Sequence, residues 1–170
     1  MPSENVEAQL LQWASEALEL RHGDAGDTGG RVRLPAFELG QPAVVDMLGR
    51  VRQRLDRVEE LQAQSRQALG RVVRLREEAE YELSLKYDDA ISNNKNRYVD
   101  FQSADEKRAD AALKSLEEKR KLHQMKRLES HAREVLDVVT QCYWGLSNLR
   151  EDLLQMVNSH TFVTAEELQT

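Results

Sequence analysis

VVDMLGRVRQRLDRV, residues 44–58, decides the fold. Val44, Leu48, Val51, Leu55 and Val58 recur at steps of four, three, four and three. Those steps place all five on one narrow stripe of an α-helix, the heptad seam of a coiled coil. Pro42 suits the first turn, where its missing N–H costs nothing. Downstream, Gln62 and Ser65 interrupt the seam. Leu69, Val72, Ala79 and Leu83 resume it, with Arg76 as a second polar intrusion. Gly49 and Gly70 weaken the helix by up to about 1 kcal/mol each relative to alanine. The pattern predicts a helix over 43–89, roughly 70 Å long at the α-helical rise.

A partner for that seam follows. Ser103-Ala104-Asp105-Glu106 has the form of a capping box, in which the serine and glutamate side chains each bond the other's backbone N–H. From there a helix is predicted over 104–158. Leu122, Met125, Glu129, Ala132, Leu136, Val139, Tyr143, Leu146, Arg150, Leu153 and Val157 alternate steps of three and four. Past residue 134 the apolar face widens to include Val135, Val138, Cys142, Leu149 and Met156. A wide face requires more than one neighbour. The expectation is that residues 135–157 bury it against other copies of the chain, with the N-terminal helix as a further cover.

That N-terminal helix is short and amphipathic. Ser3 is its candidate N-cap, and Val6, Leu10, Trp13, Ala17 and Leu18 share one face up to about His22. Residues 23–42 form a Gly/Pro linker; with His22, that stretch holds five of the eight glycines and two of the three prolines. Residues 163–170 are an acidic tail. Thr164-Ala165-Glu166-Glu167 there is a second capping box with little helix to cap. The fold class is therefore all-α. It is a long antiparallel helical hairpin over 43–162 with a tethered N-terminal helix, oligomerising through the C-terminal half of its last helix.

Composition agrees. Charged residues make up 32% and aromatics 5%, which suits long helices with wet faces better than a thick core. The single cysteine, Cys142, excludes an internal disulfide framework and fits a reducing cytoplasm. No apolar run approaches the roughly 20 residues of a membrane span, and no signal peptide is evident. The expectation is a cytoplasmic chain with no membrane partner.

Catalytic signatures are missing: no Gly-rich phosphate loop, HExxH, CxxC or GxSxG. His123 and His131 are eight residues apart, not the four that place two ligands on one helix face. Cys142 reads as a buried thiol. The expectation is a non-enzyme with no cofactor and no metal.

Charge distribution is more informative. The net charge is −6, yet residues 91–133 carry eleven bases and seven acids, while 1–30 and 134–170 are acidic. Lys119, Arg120, His123, Lys126, Arg127, Ser130 and Arg133 project within an arc of about 140° at 100° per residue. No acid lies inside that arc; Lys114, Glu117, Glu118 and Glu129 fall outside it. Soluble helix faces usually mix signs for i,i+4 pairing. The arc is either a polyanion-binding stripe, an ordinary solvated face, or a stripe neutralised by acids on a neighbouring helix.

The break between the helices, ISNNKNRYVDF at 91–101, also combines cations with aromatics. Lys86, Lys95 and Arg97 alternate with Tyr87, Tyr98 and Phe101. Single-stranded nucleic acid is held by cations on phosphates and rings under bases. The same residues also suit a plain interhelix loop, with Tyr98 and Phe101 packed on the hairpin tip.

RQALGRVVRLREEAEYELSLKYDDA, then NNKNRYVDF, then EVLDVVTQCYWGLSNLREDLLQMVNSHTF occur in this order. Over residues 45–162 this architecture resembles the phage recombination mediators of the UvsY type. The resemblance implies a ring-like homo-oligomer that binds single-stranded DNA, contacts a single-strand-binding protein and helps load a RecA-like recombinase. It implies DNA contact at Lys86, Lys95 and Arg97. It implies oligomerisation through Tyr143, Trp144, Leu146, Leu149, Leu153 and Met156. The family tends to end in a basic residue, glycine and phenylalanine, where this chain has Ser159-His160-Thr161-Phe162. Two other functions remain open. One is a coiled-coil structural or adaptor protein, such as a phage assembly component, that ignores DNA. The other is a nuclease inhibitor, which would need a dense acidic face.

Overall fold

A computed structural model describes residues 2–22, 41–97 and 103–159. The described chain is all-α: α1 (Pro2–His22), α2 (Gln41–Arg97), α3 (Ala104–Lys114) and α4 (Leu116–Ser159). The predicted linker from residue 23, the loop residues Tyr98 and Phe101, and the acidic tail with its capping box lie outside the described residues.

The capping box is present at α3. Ser103 Oγ accepts from the Glu106 N–H at 3.2 Å, and the Ser103 N–H donates to Glu106 Oε2 at 2.9 Å. The predicted single helix over 104–158 is divided at Ser115. This serine is fully buried. Its hydroxyl donates to the Ala111 carbonyl at 2.9 Å, and such back-bonding loosens the local helix. Two other expectations shift at helix ends. α1 begins at Pro2, so Ser3 lies within the helix rather than capping it. α2 continues eight residues past 89, so Ile91–Arg97 is helical, not loop. Asparagine is a weak helix former, but extending a helix that already exists avoids the cost of nucleation.

The chain divides into two compact units. The first comprises Met1–Leu10 with Arg66–Glu134. Here α2 and α4 run antiparallel: Arg76 meets Glu129, Glu80 meets Lys126, Glu82 meets Lys121 and Lys86 meets Glu118. Its interior is small, with Ala68, Val72, Ala79, Ala90, Ala111, Leu122, Leu128 and Ala132 buried. Two polar residues of the predicted seams, Arg76 on α2 and Glu129 on α4, face each other. Arg76 Nε lies 3.2 Å from Glu129 Oε2. Its angle makes this an ion pair rather than an aligned hydrogen bond. Glu129 also accepts from Arg133 Nη2 at 2.6 Å and Nε at 3.2 Å. A largely buried polar pair of this kind favours one register, because sliding the helices would separate Arg76 from Glu129.

The second unit comprises Leu11–Ser65 with Val135–Thr170. Its core is aliphatic: Val44, Val51, Leu55, Val58 and Leu61 from α2, and Val135, Val139, Cys142, Leu146 and Leu153 from α4. Each such side chain stabilises the fold by about 1.5–3 kcal/mol when fully buried. α1 covers part of this core. Ala17 is fully buried, Glu16 Oε1 accepts from Arg57 Nε at 2.6 Å, and Arg21 lies against Gly145. An added Cβ at Gly145 would sit 3.5 Å from Arg21 Nε. Leu18 is on the outer side of α1, not on the predicted inner face.

Both seams differ from expectation at alternate positions. On α4, Val135 and Cys142 are buried where Leu136 and Tyr143 were expected. Leu149 is half-buried, and Arg150 points to solvent. Both frames share Ala132, Val139, Leu146 and Leu153. The observed one keeps the Arg150 charge in water, whereas the other would bury it. On α2, Leu61 and Ala68 are buried in place of Gln62 and Leu69, so the seam is continuous. Gln62 sits at the flank, where its Nε2 donates to Thr140 Oγ1 at 3.0 Å. Ser65 keeps an uncharged polar atom fully buried in the stripe, with no hydrogen-bond partner for its Oγ among the described residues.

Candidate nucleic-acid interface

All seven residues of the predicted basic arc are exposed, as their angular distance from the α4 seam requires. Their charges are not equally available. Lys126 Nζ lies 3.4 Å from Glu80 on α2. Arg133 is committed to Glu129. Lys121, well outside the arc on the other flank of the helix contact, pairs with Glu82. These three flank the helix contact and answer acids of α2 and α4, which is the neutralisation foreseen as an alternative. Lys119, Arg120, His123 and Arg127 have no ion pair with any described residue. By the same projection these four span about 100°, on the side turned from α2.

The expectation that no acid enters the arc is corrected. Glu134, one turn beyond Ser130, projects inside it, and the Ser130 hydroxyl donates to it at 3.4 Å. His131 Nδ1 lies 4.0 Å from the same carboxylate. The available stripe therefore stops short of Ser130. Next to it, α4 and the first turns of α1 enclose an open groove of about 480 Å³, lined by Glu7, Gln124, Arg127, His131 and Glu134 among others. Its mixed signs do not extend the cationic face.

The predicted residues near the break are only partly visible. Lys86 is exposed on α2, with its Nζ 4.0 Å from Glu118 Oε1. Lys95 and Arg97 belong to the last helical turns of α2. Their side chains, and Tyr98, lie outside the described residues.

The predicted oligomerisation set divides as well. Val139, Leu146 and Leu153 are buried in the chain's own core, so they present no surface to a second copy. α2 covers them because they occupy the heptad positions shared by both frames. Tyr143, Leu149 and Met156 are half-buried. Trp144 remains 60% exposed, with its ring edge-on to Tyr143 at 5.6 Å and 75°. Cys142 is buried beneath Arg21; burial pushes its thiol pKa up, and the guanidinium opposes that shift. A thiol so placed is a weak nucleophile.

Among the described residues no three His, Cys, Asp or Glu side chains converge to hold a metal ion, and no helix is long and apolar enough to cross a membrane. No family model, curated protein or solved structure matches the chain.

Proposed function

We propose that this chain is a non-enzymatic accessory protein of DNA recombination or replication. In this reading it binds single-stranded DNA as a homo-oligomer in the cytoplasm and helps load a RecA-like recombinase, in company with a single-strand-binding protein. The observation that supports it best is the exposed group Lys119, Arg120 and Arg127, with His123 among them, on one side of α4, none of them ion-paired among the described residues. Cations left without acidic partners on a chain of net charge −6 concentrate positive potential where a phosphate backbone can lie. Lys95 and Arg97 at the end of α2 are the second proposed contact, with Tyr98 as a stacking face. One weak site per subunit gains strength when several subunits hold the same strand.

The test is fluorescence anisotropy with labelled oligo-dT at several salt concentrations. Binding should weaken steeply with salt, because bound counterions are released. The triple change Lys119→Ala, Arg120→Ala, Arg127→Ala should weaken binding and flatten the slope. Lys95→Ala with Arg97→Ala should weaken it without dissociating the oligomer. Absence of binding at low salt rejects the reading.

A second reading, a coiled-coil adaptor that ignores DNA, is favoured by a different observation. Lys121, Lys126 and Arg133 spend their charge on acids of the same chain.

A further inference from the structure

The outward side of α3 and α4 carries two leucines that the cation–phosphate reading does not use. Leu113 is 71% exposed and Leu116 42%. They flank Ser115, but the helical ladder crosses that break: the Ser115 N–H donates to the Ala111 carbonyl at 3.1 Å, and the Lys119 N–H to the Ser115 carbonyl at 3.1 Å. Ser115 itself leaves helical dihedrals, at φ −100° and ψ 18°, but these two bonds keep α3 and α4 close to one helical screw. Measured from Lys119, Leu116 projects at about 60° and Leu113 at about 120°, beside His123, Arg127 and Arg120. Two exposed leucines share one face with His123 and with three cations that have no ion pair among the described residues.

We propose that this face docks a short acidic segment of a partner protein, an amphipathic helix whose apolar side chains cover Leu113 and Leu116. Its carboxylates would face Lys119, Arg120 and Arg127. Charge complementarity selects this occupant. A second copy of the same face would oppose cation to cation. A bilayer would gain little from two leucines. A DNA strand brings phosphates for the cations, but its bases and thymine methyls offer the leucines less aliphatic surface than the apolar face of a helix. The peptide and single-stranded DNA would compete for the shared cations, and the peptide's binding does not require the nucleic-acid reading to hold.

The probe is a labelled synthetic peptide of roughly 15 residues, long enough to form a few helical turns, with leucine at i, i+3 and i+7 and glutamate at most other positions. It is titrated against the full chain, with oligo-dT and anionic phosphatidylcholine–phosphatidylglycerol vesicles in parallel. Leu113→Ser with Leu116→Ser should weaken the peptide about tenfold, leave its salt slope unchanged and spare oligo-dT. Lys119→Ala with Arg127→Ala should weaken the peptide and flatten its slope. Leu75→Ser, at an exposed position on α2, should change neither. Circular dichroism checks that each variant keeps its helix content. The proposal is overturned if the parent ignores the peptide or if the double serine variant binds it equally well. It is also overturned if leucine-dependent binding appears with vesicles in place of the peptide. Loss of oligo-dT binding with peptide binding intact overturns the nucleic-acid reading alone.

Discussion

The two units solve the same packing problem with different residues. Both pair α2 with α4. In the Leu11–Ser65 and Val135–Thr170 unit the seam is valine and leucine, and α1 adds a third helix. In the Arg66–Glu134 unit five of the buried seam residues are alanine, and ion pairs link the helices. Alanine buries little apolar area, so this unit gains less from the hydrophobic effect. Exposed ion pairs do not make up the difference, since each contributes about 0–1 kcal/mol. What they supply is register. The aliphatic unit holds the chain together, and the alanine unit presents charge to solvent.

The largest test of this contrast is Leu146→Ala. Leu146 is fully enclosed by the aliphatic unit, so the cavity should cost about 2–5 kcal/mol in a urea melt. A loss under about 1 kcal/mol would mean that this core is not the main source of stability.

Next is the charged seam. Glu129→Ala removes the buried partner of Arg76, whose side chain is 29% exposed and, among the described residues, keeps only Glu77, at 3.6 Å. The cost should be about 2 kcal/mol, below the 3–5 kcal/mol of a fully buried pair. Combining Glu129→Leu with Arg76→Met should recover that stability, because neither charge is then left unpaired. Failure to recover would show that the ion pair stabilises the fold rather than only selecting its register.

Ser65→Ala probes the uncharged polar break in the α2 stripe. Its hydroxyl is buried without a partner, so removal should raise stability by about 1 kcal/mol. A loss of stability would reveal a hydrogen bond that the geometry lacks. The smallest effect belongs to Gly70→Ala. Nothing lies within 4 Å of the added Cβ, so the gain is limited to helix propensity, up to about 1 kcal/mol and equally visible as a higher melting temperature. Gly49→Ala in the other unit should match it, since its Cβ also meets open space. Unequal gains would show that local stability, not propensity, governs the readout.

Much of the fold was legible because it is written in local periodicity. Val44, Val51, Leu55 and Val58 mark the α2 seam, and Ser103 with Glu106 marks the start of α3, through interactions that span a few residues. The basic arc on α4 was legible for the same reason. Its division into paired and unpaired cations was not. Glu80 and Glu82 are some 40 residues distant in the chain, and only the antiparallel register brings them to Lys126 and Lys121. The exposed Leu113 and Leu116 carried a sequence signal, since both lie off the predicted seam, but an off-seam leucine can also be covered by a third helix.

The sequence by itself determined that this chain is helical, where its longest helices lie and on which side its cations stand. Helix period, capping and charge position depend on neighbours within one or two turns. Only the tertiary structure decided which of two interleaved heptad frames is buried, that Arg76 answers Glu129, and that α1 covers part of the core once assigned to other copies. Those choices depend on contacts between segments distant in sequence. There, burying Val135 and Cys142 while leaving Arg150 in water outweighs any one residue's local preference.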